Sequence, residues 1–444
     1  MDEPHLKPGP EPHRLRTILH RHADFVANRP GGARGGLKFH DLTDLRLPNV
    51  MLAGFDFTGS CLRDADLSGA DLTQATLFGC DLTGATLDGA RLNKADLRGT
   101  TLSGAQIRYA DLTAIDLREG LLLTHQSGML EPMRPKPSTE ARRAKLFGSR
   151  LAGARMSNAM MGLVDLRDAN LSGSNLAGAD LSGANLSGCN LQDVDFRGAN
   201  LSGARLEGAI LNRANMTDAN LKDACLLGAL VDEIVLERTN LLGAETTRGL
   251  ESMDMDIATI FRLHQDWVQS GGGTGMRADL SGLDLRAVNL HGINLGAAVL
   301  SHSDLREADL SLTMLMMADL TVIDARGADF TGADLRGASL ERATLHGANF
   351  THAHLSPMRI RGETVWPSNL SHARLRHANL HRAQLARARL DGADLSDCDL
   401  SAADLRDASL DGTILDGARL EGTVLDPNWS DQGETEPAET NAAL

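Results

Sequence analysis

The chain has 444 residues, a formal net charge of −15 and only 3% aromatic residues. That length exceeds one ordinary domain. No apolar run approaches the roughly 18 residues of a membrane-spanning helix, so such a span is excluded. The five cysteines form no ligand-like cluster and read as free thiols of a reducing cytoplasm.

Residues 1–36 read as a tail and a helix. The opening MDEPHLKPGPEPHR has no apolar core, so it is no secretory signal and a cytoplasmic location is expected. Leu15, Ile18, Leu19, Phe25 and Val26 then fall at i, i+3, i+4, i+10 and i+11, which predicts one face of an amphipathic helix over about 12–28. Gly31-Gly32 supply its stop.

From residue 37 the period changes. In ADLSGADLTQATLFGCDL, Leu67, Leu72, Leu77 and Leu82 recur at every fifth position. An α-helix would rotate them by about 140° per step. A continuous strand would flip them from face to face. The chain must therefore turn a corner in every pentad. Ala65, Ala70, Ala75 and Cys80 precede these leucines by two residues, so each pair points to one side of a short extended segment. Four such corners close a square coil of about 20 residues, and stacked coils pair as parallel ladders about 4.8 Å apart. The motif A-(D/N)-L-x-x, with ADLSG, ANLSG and ADLRG verbatim, resembles the pentapeptide-repeat family. The resemblance implies an all-β fold, the right-handed quadrilateral parallel β-helix. Its handedness rests on the resemblance and not on the period.

A first solenoid is predicted over 37–245, with leucine-type centres from Leu42 to Leu117 and from Leu146 to Leu241. Residues 118–145 break the count. LLLTH and MLEPM around Gln-Ser-Gly read as a hairpin, followed by an exposed basic loop. Residues 246–277 read as a linker and a second helix. Ile257, Ile260, Phe261, Trp267 and Val268 match the first helix at an offset of 242, as does His264 with His22. Glycines again follow, at 271–273. Both helices are expected to cap the next solenoid, hiding an apolar end and an open strand edge, with the histidines in the packed face. The second solenoid spans 278–426, centred from Leu280 to Leu425, with an outward bulge at GETVWPSN that preserves the count of five. Residues 427–444, acidic and without a basic side chain, read as a disordered tail.

The repeat itself places Asp beside Leu, so regularly spaced carboxylates carry no acid–base implication. G-x-S-x-G, H-E-x-x-H and C-x-x-C do not occur. No catalytic, cofactor-binding or metal residue is assigned, no cofactor is expected, and the chain reads as a non-enzyme. Two surface features stand out. Asp284, Asp304 and Asp324 stack at coil spacing as an acidic column, with Arg286, Arg306 and Arg326 in a parallel column able to screen it. Arg359, Arg361, His372, Arg374, Arg376, His377, His381, Arg382, Arg387 and Arg389 gather in a basic stretch that could receive an anionic partner. Within it His372 lies 20 residues, one coil step, beyond His352, and two such ligands do not fill a metal shell. The stretch lacks the interleaved aromatics of a nucleic-acid surface, so the expected partner is a protein. The leading reading is a scaffold that binds another macromolecule through its solenoid surface. The resemblance implies an alternative: a DNA-like rod that binds a type II topoisomerase.

Overall fold

The computed structural model describes residues 6–120, 123–126, 129–132, 139–360 and 365–425. The chain divides into two compact units, Met1–Thr246 and Thr247–Leu444.

In the first unit a regular pentad donates four backbone hydrogen bonds, three to neighbouring coils, including Gly183 N–H to Ser202 at 2.8 Å, and one across its own corner. Around Leu181, the Leu181 N–H donates to the Asn200 carbonyl of the next coil at 2.7 Å, and Asn200 N–H donates back to Ala179 at 2.9 Å. The corner closes when Ala184 N–H donates to Leu181 at 3.0 Å. The third residue of that turn, Gly183, has φ +62°, which L-residues seldom adopt. Parallel bridges repeat at 20 residues, as in Asp180↔Asn200↔Asn220. Where Asp or Asn precedes the leucine, its side chain locks the side of the square. Asp66 Oδ1 accepts both the backbone N–H of Ser68 at 3.1 Å and its hydroxyl at 2.6 Å. That local bond explains why Asp and Asn dominate the position. Leucine and alanine point inward, and Leu181 is fully buried. The inward cysteines are structural: Cys189 Sγ–H donates to the Leu166 carbonyl at 2.8 Å.

The ladder begins earlier and is interrupted for less long than the leucine pattern suggests. Leu37 already donates to Asp56 at 2.8 Å. After strands β1 (Leu123–Gln126) and β2 (Met129–Pro132), which pair as an antiparallel hairpin, the ladder resumes with Thr101↔Glu140. Residues 139–145 are therefore coil. Their pentad is centred on buried Ala141, which a search for leucine overlooks.

Helix α1 (Pro12–Val26) lies against the first coil. Leu15, Ile18 and Leu19 pack on the core. Phe25, expected on the same face, is 46% exposed. Ten residues on, at 100° each, it points about 80° away from Leu15. His22, seven residues on, falls within about 20° of Leu15 and is fully buried. Ahead of the helix, Lys7 adds one parallel bridge, to His40.

The second unit repeats this plan. Arg248 bridges Leu283. Helix α2 (Ile257–Gln269) is capped by Asp256, whose carboxylate accepts from Thr259 N–H at 2.9 Å. Ile257, Ile260 and Phe261 pack on the core, His264 is fully buried, and Trp267 and Val268 are half-buried. Coils then run from Ala278 to Leu425, with one excursion whose strands β3 (Met358–Arg359) and β4 (Val365–Trp366) pair antiparallel. The bridge Ser339↔Asn369 spans 30 residues rather than 20, so ten residues, two pentads, leave the coil and the count survives. Residues 361–364 and 426–444, and with them Arg361 and the acidic tail, lie outside the described residues.

Candidate interaction surface

The basic stretch is built on one coil, 368–387, which contains four arginines, three histidines and no acidic residue. Its four corner residues are His372 (φ +59°), His377 (+60°), Arg382 (+56°) and Arg387 (+59°). Elsewhere glycine often holds this left-handed position at no steric cost, whereas a bulky L-residue there is strained. The corners belong to different sides of the square, so the feature is a girdle around the unit rather than one face.

The girdle rests on a coil of opposite sign. Residues 388–407 carry six aspartates. Arg376 meets Asp397 at 3.1 Å, with His377 at 3.9 Å from the same carboxylate, and Arg387 meets Asp407 at 3.1 Å. Arg389 lies 3.8 Å from Asp391, and Arg374 reaches the Thr344 hydroxyl at 3.4 Å. His381 shares a hydrogen bond with the Ser401 hydroxyl at 2.8 Å. Much of the basic charge is thus paired across coils, at exposed sites where such pairs are worth little. His352 and His372 are not brought together. The ten-residue excursion shifts the register, so His352 lies over His381, ring centroids 6.3 Å apart. His346 lies over His377 at 5.8 Å. Burial, together with His377 and Arg376, holds His346 below the ordinary imidazole range.

The acidic column is neutralised in place. Asp304 accepts Arg306 Nε at 2.9 Å and Nη2 at 2.7 Å, a two-pronged fork. Asp284 and Asp324 hold Arg286 and Arg326 in the same way. Arg286 and Arg306 also reach the carboxylate one coil further, at 3.7 and 3.5 Å. Burial pushes the Asp324 carboxyl up, against the pull of Arg326. The pentad D-L-R therefore carries its own counter-charge.

A second feature escaped the sequence pattern. The excursion in the second unit leaves Ile360, Val365 and Trp366 exposed, Trp366 by 53%. It folds over Gly337, where an added Cβ would meet Met317 Sδ at 2.7 Å and Met358 Cβ at 2.8 Å. On its other flank is an open notch of about 350 Å³, lined by Pro357, Arg359, Val365, Ala386, Arg387, Arg406 and Asp407. Exposed Trp366 and Arg359 beside the half-buried Met317 and Met358 have the composition of protein interface cores. The signals in the sequence were the run MLMM at 314–317 and the broken motif VWPS.

Among the described residues, no three His, Cys, Asp or Glu side chains stand close enough to hold a metal ion. No helix there is long and apolar enough to cross a membrane.

The family model described as Pentapeptide repeats matches in eight copies, over 41–79, 80–118, 165–203, 199–238, 278–315, 318–356, 368–401 and 403–426. The sequence has no significant match among curated proteins. Among solved structures, the chain is similar to HetL of Nostoc sp. strain PCC 7120, a pentapeptide repeat protein involved in heterocyst differentiation regulation. Identity is 24% over 72% of this chain and 92% of that one, with a TM-score of 0.23. It is also similar to QnrB1, a plasmid-mediated fluoroquinolone resistance protein, at 19% identity over 46% and 91%, TM-score 0.28. Rfr23 of the cyanobacterium Cyanothece 51142 matches at 27% over 30% and 90%, TM-score 0.18.

Proposed function

Because the chain belongs to the pentapeptide-repeat family, and so folds as a right-handed β-helix, we propose that it is a non-enzymatic scaffold that binds a partner protein in the cytoplasm. The contact surface is the second unit's excursion and the basic girdle beside it. One observation carries this reading: Trp366 stands 53% exposed beside a notch with three arginines. A buried tryptophan would have served stability, and an exposed one serves contact. The two capping helices serve this role by keeping each solenoid's first coil from associating.

The DNA-like alternative gains nothing from the acidic column, whose carboxylates are forked by arginine. The test is affinity capture from the native cytoplasm with the full chain and a Trp366→Ala, Arg359→Gln, Arg387→Gln variant. The scaffold reading expects a protein retained by the parent chain and lost from the variant. Equal retention by both would remove the surface from consideration. Inhibition of purified gyrase by the parent chain would favour the alternative.

A further inference from the structure

The two buried histidines make the same unusual bond. Gly35 N–H donates to His22 Nδ1 at 3.0 Å, and Ala278 N–H donates to His264 Nδ1 at 3.0 Å. Each donor opens the first coil of its unit. An imidazole that accepts at Nδ1 carries its proton on Nε2. Both Nε2 atoms are buried without a hydrogen-bond partner, near the Ala53 and Gly296 carbonyls. The charged group facing each ring from the coil is an arginine, Arg34 or Arg277. Those arginines are themselves fixed by Nε bonds to the Gly54 and Ala297 carbonyls. On the helix side, Phe25 and Trp267 stack on the rings at 6.0 and 5.7 Å.

We propose that His22 and His264 are proton-operated latches: protonation at Nδ1 breaks the bond to the coil's first amide and releases the helix from the solenoid end. A protonated Nδ1 is a donor facing another donor, and the new cation is buried beside an arginine. Burial first, then that arginine, hold both imidazoles below their ordinary 6.5. The unfastened state therefore binds the proton more readily. The latch is fully closed above pH 6.5 and loosens as pH falls from there through the depressed folded-state value.

Hydrogen exchange on the full chain reads this directly. Corrected for intrinsic rates, protection of the Leu37 and Leu280 amides should fall about tenfold per pH unit below 6.5, relative to Leu181 in mid-solenoid. His22→Asn with His264→Asn keeps an acceptor oxygen near the Nδ1 position but does not titrate, so its protection should be independent of pH. An unchanged Leu37 and Leu280 in the parent chain, or an equally steep fall in the Asn variant, overturns the latch. Should the variant be loose at every pH, long-range ¹H–¹⁵N spectra of the parent decide. An Nε2–H tautomer at neutral pH, titrating together with amide release, supports the proposal. A proton on Nδ1 at neutral pH overturns it.

Discussion

The two ends against which the helices pack share their polar contacts and differ in the side chains that fill them. In the first unit Gly35 opens the coil because the Phe55 ring takes its Cβ space, 2.3 Å from where a methyl would sit. In the second, Ala278 opens the coil, and Ala298 occupies the position of Phe55. Trp267 replaces Phe25 over the histidine. The imidazole bond, the arginine clamp and the preceding bridge by Lys7 or Arg248 are common to both. Packing here is interchangeable so long as total volume is kept, while the backbone donors and acceptors of an exposed sheet end require named partners.

The comparison breaks most completely if one cap is lost. Phe261→Asp with Trp267→Asp should uncover Leu280, Leu285, Leu290 and Leu295, each now fully buried. At about 1.5–3 kcal/mol for each leucine returned to water, the second unit should lose several kcal/mol and aggregate. A fragment starting at Arg277 should behave alike, whereas one starting at Gly249 should stay soluble in sedimentation. Equal solubility of the two fragments would mean that the helix is no cap.

Next in size is Gly35→Ala, which forces a methyl into the Phe55 ring and should cost about 1–3 kcal/mol in denaturant melts. Adding Phe55→Ala, which recreates the second unit's pair, should recover part of that loss. The converse change, Ala278→Gly, should cost less, about 0.5–1 kcal/mol, since it removes one methyl and adds chain freedom. The smallest effect lies outside the caps. Arg376→Gln with Arg387→Gln removes exposed pairs to Asp397 and Asp407 and should change stability by less than about 1 kcal/mol. A larger fall would make the girdle structural.

The inward leucines, the coil and both helices were legible because one apolar period dominates the sequence. Four things were not. Ala141 centres a pentad without a leucine, so the excursion looked longer than it is. The latch escaped because the helices match at 242 residues, whereas Gly35 and Ala278, the latch donors, are 243 apart. The girdle escaped because a stretch contiguous in sequence says nothing of direction, whereas Arg382 and Arg387 occupy successive corners and point from different sides. The outward bulge at GETVWPSN was legible, but not the exposure of Trp366 beside a notch, because nothing in a five-residue period reports what stands outside the coil.

The ladder register turns the surface into a grid of addresses. Along the chain, five residues move a side chain to the next side of the square, and twenty move it one row, about 4.8 Å, along the axis. Removing one whole row, such as 318–337, would leave every later side chain on its original side. Removing a single pentad would rotate all later rows by a quarter turn. The excursion at 358–367 stands outside this count, because the chain leaves after the side that holds His354, which bridges Asp334, and re-enters on the very next side at Asn369, which bridges Ser339. A contact surface on such a scaffold can therefore be shifted, lengthened or transplanted by counting residues, without redesigning what lies beneath it.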